Sequence, residues 1–536
     1  MSAAAVGLIL SAAYIDQELS AEFGPLPPCF LPVGDRRLYA LQVERMAGLE
    51  ALYLTLPAGF ETPAADRAWL EAAGVRLLFI EEGLSLGESL VRAIEAVGPI
   101  TGDLVILHGD TLATPSAAPG DSLGVSAETD EYAWAEVAVD SGRVTRLSVV
   151  DAAGAGDEAA SVICGVFRVA DAEALSQAIA DADGDFIRGL NAYALSRPVR
   201  AEPAPDWLDF GHVQTYFRAR RVVSTARSFN RLSIDDRVVT KGGDDHAKIR
   251  AEAAWLGGVP ATIRPFCVRL VDVQDVEPGP RYVTEYAYAP TLADLSVFGA
   301  LGAARWGRIF ASCQALLDLC AQAPDPEGAR GTADAALESL VRGKARERLL
   351  AYAAFGGLPV DRPMRYAGRI TPSLLEIADR VADIACAPTG AMATVMHGDF
   401  CFSNILYDLR ARRIRVLDPR GFVTPGRPSL YGSPLYDLGK LAHSVIGRYD
   451  ELIAGRYALD DGAEGLALQF AAPERPWMRD MLGGVRAGDV SGLDPAVQAV
   501  MVSLFLAMPP LHADRPDRQK AFIANALRLF LEMEAA

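Results

Sequence analysis

Three oxygen-bearing side chains in the C-terminal half have the types and spacing that phosphoryl transfer requires. The stretch Val395-Met-His-Gly-Asp-Phe-Cys-Phe-Ser-Asn-Ile-Leu-Tyr407 carries His397-Gly398-Asp399, with Asn404 five residues beyond the aspartate. Asp418 follows fourteen residues after Asn404, at the end of an apolar run. Moving a phosphoryl group from ATP needs a carboxylate to orient the attacking hydroxyl and oxygen ligands to hold Mg²⁺ across the phosphates. Asp399 suits the first task; Asn404 and Asp418 suit the second, at a spacing that one loop and one hairpin can deliver. The triplet alone is a weak signal, because His108-Gly109-Asp110 repeats it without the asparagine. His397 reads as a structural hydrogen-bonding residue.

Upstream, Val238-Val-Thr-Lys241 is a strand ending in lysine, and Glu252 lies eleven residues later on a helical run. A strand lysine steered by a helix glutamate can hold the α- and β-phosphates of ATP. The segment Pro280–Tyr288 reads as a strand leading into a hinge, where backbone groups at Glu285 and Ala287 can hydrogen-bond an adenine. The loop Ser224–Leu232 contains no glycine, so phosphate cover there falls to Ser228 or to backbone amides.

A second acidic pair stands in the N-terminal half. Asp110 ends the strand Leu104-Val-Ile-Leu-His-Gly-Asp, and Asp209 sits in Trp207-Leu-Asp-Phe-Gly211. A carboxylate just past a parallel strand lies at the crevice where α/β sheets bind ligands. Two of them converging there can hold Mg²⁺ against a nucleotide phosphate.

The elements that must position these groups follow from the apolar pattern. Val6–Ser11, Ala51–Leu56, Val75–Ile80 and Leu104–Leu107 are short apolar runs separated by helical stretches at Arg37–Met46 and Leu86–Val97, which predicts parallel strands in an α/β layer. Ala133–Val139 and Ser161–Val169 read as further strands, antiparallel additions to the sheet. The texture changes after Tyr216, where a basic patch precedes the lysine strand; residues 295–385 have helical periodicity, a surface connection falls at Gln322–Gly331, and helices are expected from 418 to the end. The expected division is 1–215 and 216–536, with an N-lobe over 221–290 and a C-lobe over 291–536.

With 536 residues, 51% apolar and 22% charged, the chain has ample core material, and a net charge of −18 excludes a general nucleic-acid or anionic-membrane binder. Seven scattered cysteines with no CxxC pair argue against a disulfide framework and fit a reducing cytoplasm. No stretch reaches the ~20 apolar residues of a membrane helix, and the uncharged start lacks a basic n-region.

Over roughly 221–536 the chain resembles the aminoglycoside phosphotransferase/choline kinase family, through HGDFCFSN, VLDPRG and Ser433-Pro-Leu-Tyr-Asp-Leu-Gly-Lys-Leu441. The resemblance implies an α+β, protein-kinase-like two-lobed domain. It makes Asp399 the catalytic base, Asn404 and Asp418 metal ligands, Lys241 a phosphate ligand, and Asp437 the residue that orders the loop. Residues 1–215 resemble the sugar-1-phosphate nucleotidyltransferases, through Leu31-Pro-Val-Gly-Asp-Arg-Arg-Leu38, HGDT, Cys164-Gly-Val-Phe167 and Trp207-Leu-Asp-Phe-Gly211. This implies a GT-A-like α/β domain with a mostly parallel sheet, in which Asp110 and Asp209 form the metal pair for attack of a sugar phosphate on an NTP. The glycines, arginine and lysine of that family's signature are replaced by Tyr14, Asp16, Glu18 and Pro28. Glycine lets phosphates approach the backbone and the basic groups offset their charge.

The expected activity is ATP- and Mg²⁺-dependent phosphorylation of a hydroxyl on a sugar, polyol or amino alcohol, followed or once followed by nucleotidyl transfer, in capsular polysaccharide precursor synthesis. Two alternatives stand beside it: a kinase whose first domain is a degenerate sugar- or nucleotide-binding module, and a non-catalytic scaffold or sensor.

Overall fold

The computed structural model describes residues 5–127, 135–149, 161–223, 230–235, 237–323, 334–335, 337–387, 393–424 and 426–535. The chain forms two compact units, Met1–Ser224 and Thr225–Ala536. The division falls nine residues beyond the expected one, because the helix Val213–Val223 belongs to the first unit. Its Tyr216 is fully buried, packs edge-on against Phe23 and donates its hydroxyl to the Pro32 carbonyl.

In the first unit we label β1 (Val6–Leu10), α1 (Gln17–Phe23), α2 (Leu38–Arg45), β2 (Ala51–Pro57), α3 (Ala64–Ala72), β3 (Val75–Ile80), α4 (Leu86–Val97), β4 (Leu104–His108), β5 (Ser122–Ser126), β6 (Ala135–Asp140), β7 (Arg143–Val149), β8 (Ser161–Val169), α5 (Ala172–Asp181), α6 (Phe186–Ser196), β9 (Arg200–Pro203) and α7 (Val213–Val223). One nine-stranded sheet runs β3-β2-β1-β4-β8-β5-β9-β7-β6. The first four strands are parallel, with Leu8 opposite both Tyr53 and Ile106. The expectation of a mostly parallel sheet holds only for that half. Beyond β4 the ladder is antiparallel except for β5–β9, because β8 returns against β4 and the tight turn between β6 and β7 forces a hairpin.

Alternation along β4 splits the core between the two faces of the sheet. Leu104 and Ile106 pack with Leu90, Leu175 and Ile179, whereas Val105 and Leu107 pack with Met46, Cys164 and Val166. On β8 the alternation runs unbroken through Gly165, although the pairing with β5 slips there and φ is +67°. Ile163 and Phe167 both face the first layer, and Cys164 and Val166 both face the second. A bulge with a positive φ suits glycine, and here a Cβ would meet the Thr111 hydroxyl at 2.7 Å.

One buried ion pair anchors this unit. Arg37 Nε lies 3.3 Å from Asp66 Oδ1, to which the Tyr39 hydroxyl donates at 2.6 Å, and both charged residues are buried. Asp66→Ala should lower stability by about 3 kcal/mol, since it strands a buried guanidinium. A drop in the denaturant midpoint at unchanged slope checks this.

The second unit opens with a four-stranded antiparallel sheet in the order Asn230–Ile234, Val238–Gly243, Gly279–Glu285, Leu270–Val276, on which the helix His246–Gly258 packs. The Trp255 indole on that helix donates to the Met396 carbonyl at 2.8 Å, tying the helix to the His397–Asn404 loop. The rest is built around Pro495–Leu506, a helix apolar on every side, which packs against Leu374–Ala385, Pro434–Val445 and Pro516–Ala535.

Several stretches expected to be helical are not: short ladders form at Phe422–Thr424 with Arg427–Pro428 and at Arg486–Ala487 with Val490–Ser491, and two longer hairpins depart further. Pro363–Tyr366 and Arg369–Ser373 form a hairpin that joins a second hairpin, Tyr457–Gly462 with Gly465–Phe470, in a four-stranded sheet. Both turn where glycine takes a positive φ, at Gly368 and Gly465. The surface connection expected at Gln322–Gly331 lies almost entirely outside the described residues.

Candidate functional site

In the first unit, Asp110 leaves the end of β4 and Asp209 lies on a two-residue strand that pairs with Thr111–Leu112. This small ladder, closed by the Phe210 N–H donating to the Asp110 carbonyl at 2.8 Å, brings together two residues far apart in sequence. A Cβ built on Gly211 would lie 2.9 Å from Asp110 Oδ2 and 3.3 Å from Asp209 Oδ1, so both carboxylates flank the space that glycine leaves open. Burial, then the charge of Asp110, push the Asp209 carboxyl up to about 6. Its Oδ2 is buried without a protein partner. That orphaned oxygen fits a divalent cation, and so does an acidic pair carrying little compensating charge.

Gln42, fully buried on α2, was not legible as part of this site. Its amide donates to the carbonyls of His108, Gly109 and Thr111 at 3.0, 3.1 and 2.8 Å, which fixes the turn bearing Asp110. Nothing in the local pattern marks it out from any polar helix residue. Beside the turn opens a cavity of about 600 Å³, bounded by Ser85, Glu88, His108, Gly165, Asp185 and Phe186. The His108 ring packs against Phe167 and Phe186, burial lowers its basicity, and its Nε2 has no partner.

The residues replacing the glycine-rich signature form a different device. Asp16 caps α1, with Oδ1 accepting from the Leu19 N–H at 2.7 Å and Oδ2 3.7 Å from His212 Nδ1. Glu18 is exposed in the first turn of the same helix. The end of α1 that could meet phosphate is therefore satisfied by the chain's own carboxylate.

In the second unit, Lys241 Nζ stands 2.9 Å from both Glu252 Oε2 and Asp418 Oδ1. The Tyr282 hydroxyl, across the ladder from Lys241, donates to Glu252 at 2.9 Å. Burial opposes the Lys241 charge, but the two carboxylates outweigh it and hold the ammonium above its ordinary value. Asp418 sits at φ +55°, an unusual conformation for a residue other than glycine.

The Asp399 loop is held at both ends. Asn404 Nδ2 donates to Asp399 Oδ2 at 2.8 Å and to its carbonyl at 3.0 Å, and Lys440 Nζ lies 2.8 Å from Oδ1. Burial works against the Asp399 charge, yet Lys440, with Arg420, holds the carboxyl well below the usual range. Asp437 accepts the N–H groups of His397 and Gly398 at 2.8 and 2.7 Å. Burial leaves the His397 ring neutral near pH 7, with its value lowered to about 4 and Nε2 3.1 Å from the Leu417 carbonyl. The Leu417 N–H in turn donates to the Asn404 carbonyl, so Asp418 and Asn404 are joined through one backbone bond.

At the expected hinge some groups have partners within the chain. The Glu285 carboxylate pairs with Arg415, and its N–H donates to the Arg269 carbonyl at 3.0 Å; the Ala287 carbonyl accepts from Ala289 N–H at 2.9 Å. Ser228 lies outside the described residues. Among the described residues no three His, Cys, Asp or Glu side chains gather as a metal cage. Asn404 Oδ1 and Asp418 Oδ2 remain as oxygen donors, so a bound Mg²⁺ there would take its other ligands from phosphate and water, as that ion commonly does.

Among the described residues no helix is long and apolar enough to cross a membrane. No protein-family model and no curated protein matches the chain. Its N-terminal part is similar to solved structures of nucleotidyltransferases. A putative glucose-1-phosphate thymidylyltransferase from Bacillus anthracis is 14% identical, covering 42% of this chain and 97% of that one at a TM-score of 0.35. The inositol-1-phosphate CTP transferase of T. maritima is 16% identical over 42% of this chain and 99% of its own, at 0.34. The UTP-bound UGPase of Acinetobacter baumannii is 16% identical over 40% and 92%, at 0.32.

Proposed function

We propose that the second unit transfers the terminal phosphoryl group of ATP to a hydroxyl of a small molecule. The observation that carries this reading is the pair of linked constellations: Asp399 held between Asn404 and Lys440, and Lys241 held between Glu252 and Asp418. Asp399, kept ionised, would accept a hydrogen bond from the acceptor hydroxyl and orient its oxygen for attack. Lys241 would meet the phosphates, and Asn404 and Asp418 would hold Mg²⁺. When bound, that ion neutralises charge on the phosphates. Asp437 holds the loop rigid through two backbone N–H groups and touches no substrate. Screening the full chain for ADP formation against sugars, polyols, amino alcohols and aminoglycosides tests the reading; no ADP with any acceptor counts against it.

For the first unit we propose a nucleotidyltransferase-like site built on Asp110 and Asp209, with the cavity beside His108 receiving a sugar or sugar phosphate. We propose a role in the cytoplasmic synthesis of surface-polysaccharide precursors, supported by the reasoning that a kinase product is a nucleotidyltransferase substrate. A second reading, in which this unit binds without reacting, is favoured by the Asp16 cap and by Glu18 where the related enzymes carry arginine. NTP binding to the first unit should accordingly be weak, and Glu18→Arg should strengthen it about tenfold by exchanging repulsion for attraction at the end of α1. Calorimetry with CTP, UTP, GTP and dTTP on the full chain, with Mg·AMP-PNP saturating the second unit, checks this. Tight wild-type binding, or no gain from the arginine, would overturn it.

A further inference from the structure

Arg420 stands where the metal-ligand side of the second unit meets the Asp399 loop. It follows Asp418 by two residues, and its backbone N–H donates to the His397 carbonyl at 2.8 Å. A Cβ on Gly398 would meet Arg420 Cβ at 2.6 Å and Cδ at 3.1 Å. The arginine stem therefore crosses the residue just before Asp399, and glycine is what leaves it room. Its guanidinium lies 5.1 Å from the Phe422 ring centroid and 5.6 Å from that of Tyr436, with Nη1 3.4 Å from the Tyr436 hydroxyl. Tyr436 and Lys440 are one turn apart on the helix Pro434–Val445 and share a face. The Lys440 ammonium reaches Asp399 Oδ1 at 2.8 Å, so that face of the helix borders both the guanidinium and the Asp399 carboxylate.

Asp399, Asp418 and Asp437 all have other partners. Asp399 accepts from Asn404 and pairs with Lys440, and Asp418 pairs with Lys241. Asp437, next to Tyr436 on the helix, gives one oxygen each to the His397 and Gly398 N–H groups. Among the described residues Arg420 makes no ion pair, and its Nε is buried without a hydrogen-bond partner. Two aromatic faces thus hold a cation in place without neutralising it. A guanidinium so held keeps its planar fork of donors for an outside anion.

We propose that Arg420 binds the γ-phosphoryl group of ATP and stays with it during transfer. This rests on the phosphoryl-transfer reading of the second unit and adds the cation at its centre. In that step the acceptor oxygen bonds to the γ-phosphorus while the bond from that phosphorus to the β–γ bridging oxygen breaks. ADP leaves, and the hydroxyl proton passes to the Asp399 carboxylate and on to solvent. Charge spreads over the three equatorial oxygens of the group being transferred. That group passes from the side of Asn404 and Asp418 to the side of Asp399. Arg420 is joined to both, by two residues of chain to Asp418 and by its stem across Gly398 to Asp399. Charge-assisted hydrogen bonds from a guanidinium suit those oxygens, and Arg420 itself neither gains nor loses a proton.

Mg·ADP and Mg·AMP-PNP differ in the terminal phosphoryl group, so calorimetry with both on the full chain reads this contact whatever the acceptor is. Arg420→Gln should weaken Mg·AMP-PNP about 10- to 100-fold and leave Mg·ADP within about twofold of wild type. Arg420→Met keeps a stem against Phe422 and Tyr436 without the charge. It should show the same split, and it decides the matter if the glutamine variant does not fold. A residue that merely pinned the loop would not separate the two nucleotides. Equal losses on both, or undiminished Mg·AMP-PNP binding, would therefore overturn the role of Arg420 and leave the phosphoryl-transfer reading standing. Wild-type protein that binds neither nucleotide would overturn both.

Discussion

Asp399→Asn is expected to reduce ADP formation by about 10³-fold or more, with nucleotide affinity within about twofold of wild type. In the proposed reaction the carboxylate would address the acceptor, whereas Lys241, Asn404 and Asp418 would address the nucleotide and its metal. The substitution keeps shape but not charge. An amide can offer its oxygen to Lys440 or to Asn404 but not to both, so one bond of about 1 kcal/mol is lost from the loop. Asp437 still holds the His397 and Gly398 N–H groups, and the fold should survive. Single-turnover ADP formation and nucleotide calorimetry on the same preparation separate the two effects. Normal turnover in this variant would remove Asp399 from the reaction.

Asp418→Asn should show the complementary pattern, weakening Mg²⁺-dependent nucleotide binding by about 10- to 100-fold and lowering turnover with it. Asparagine is chosen because it tolerates the positive φ that Asp418 adopts, whereas alanine would add backbone strain. Losing the charge also leaves Lys241 with Glu252 as its one close carboxylate. The discriminating measurement is nucleotide affinity across a Mg²⁺ titration. A variant whose Mg²⁺ dependence matched wild type would show that Asp418 is a partner of Lys241 and not a metal ligand.

Read alone, the sequence carried whatever is encoded in short windows. Val75–Ile80, Leu86–Val97 and Ser161–Val169 form elements with the expected bounds, because apolar periodicity and the Ser85 cap act within a few residues. The spacing of Asp399, Asn404 and Asp418 was visible for the same reason: one loop and one hairpin join them. It failed where long-range packing decides. The hairpins at 363–373 and 457–470 pair with each other through Tyr366 and Leu466, 100 residues apart, and no local pattern states that partnership. The antiparallel additions were expected, but which strands they join, β8 against β4 and β6 against β7, is set by tertiary packing. Gln42 earns its role only because three carbonyls of a distant turn converge on it. Such a role exists only once the tertiary fold has chosen each side chain's neighbours.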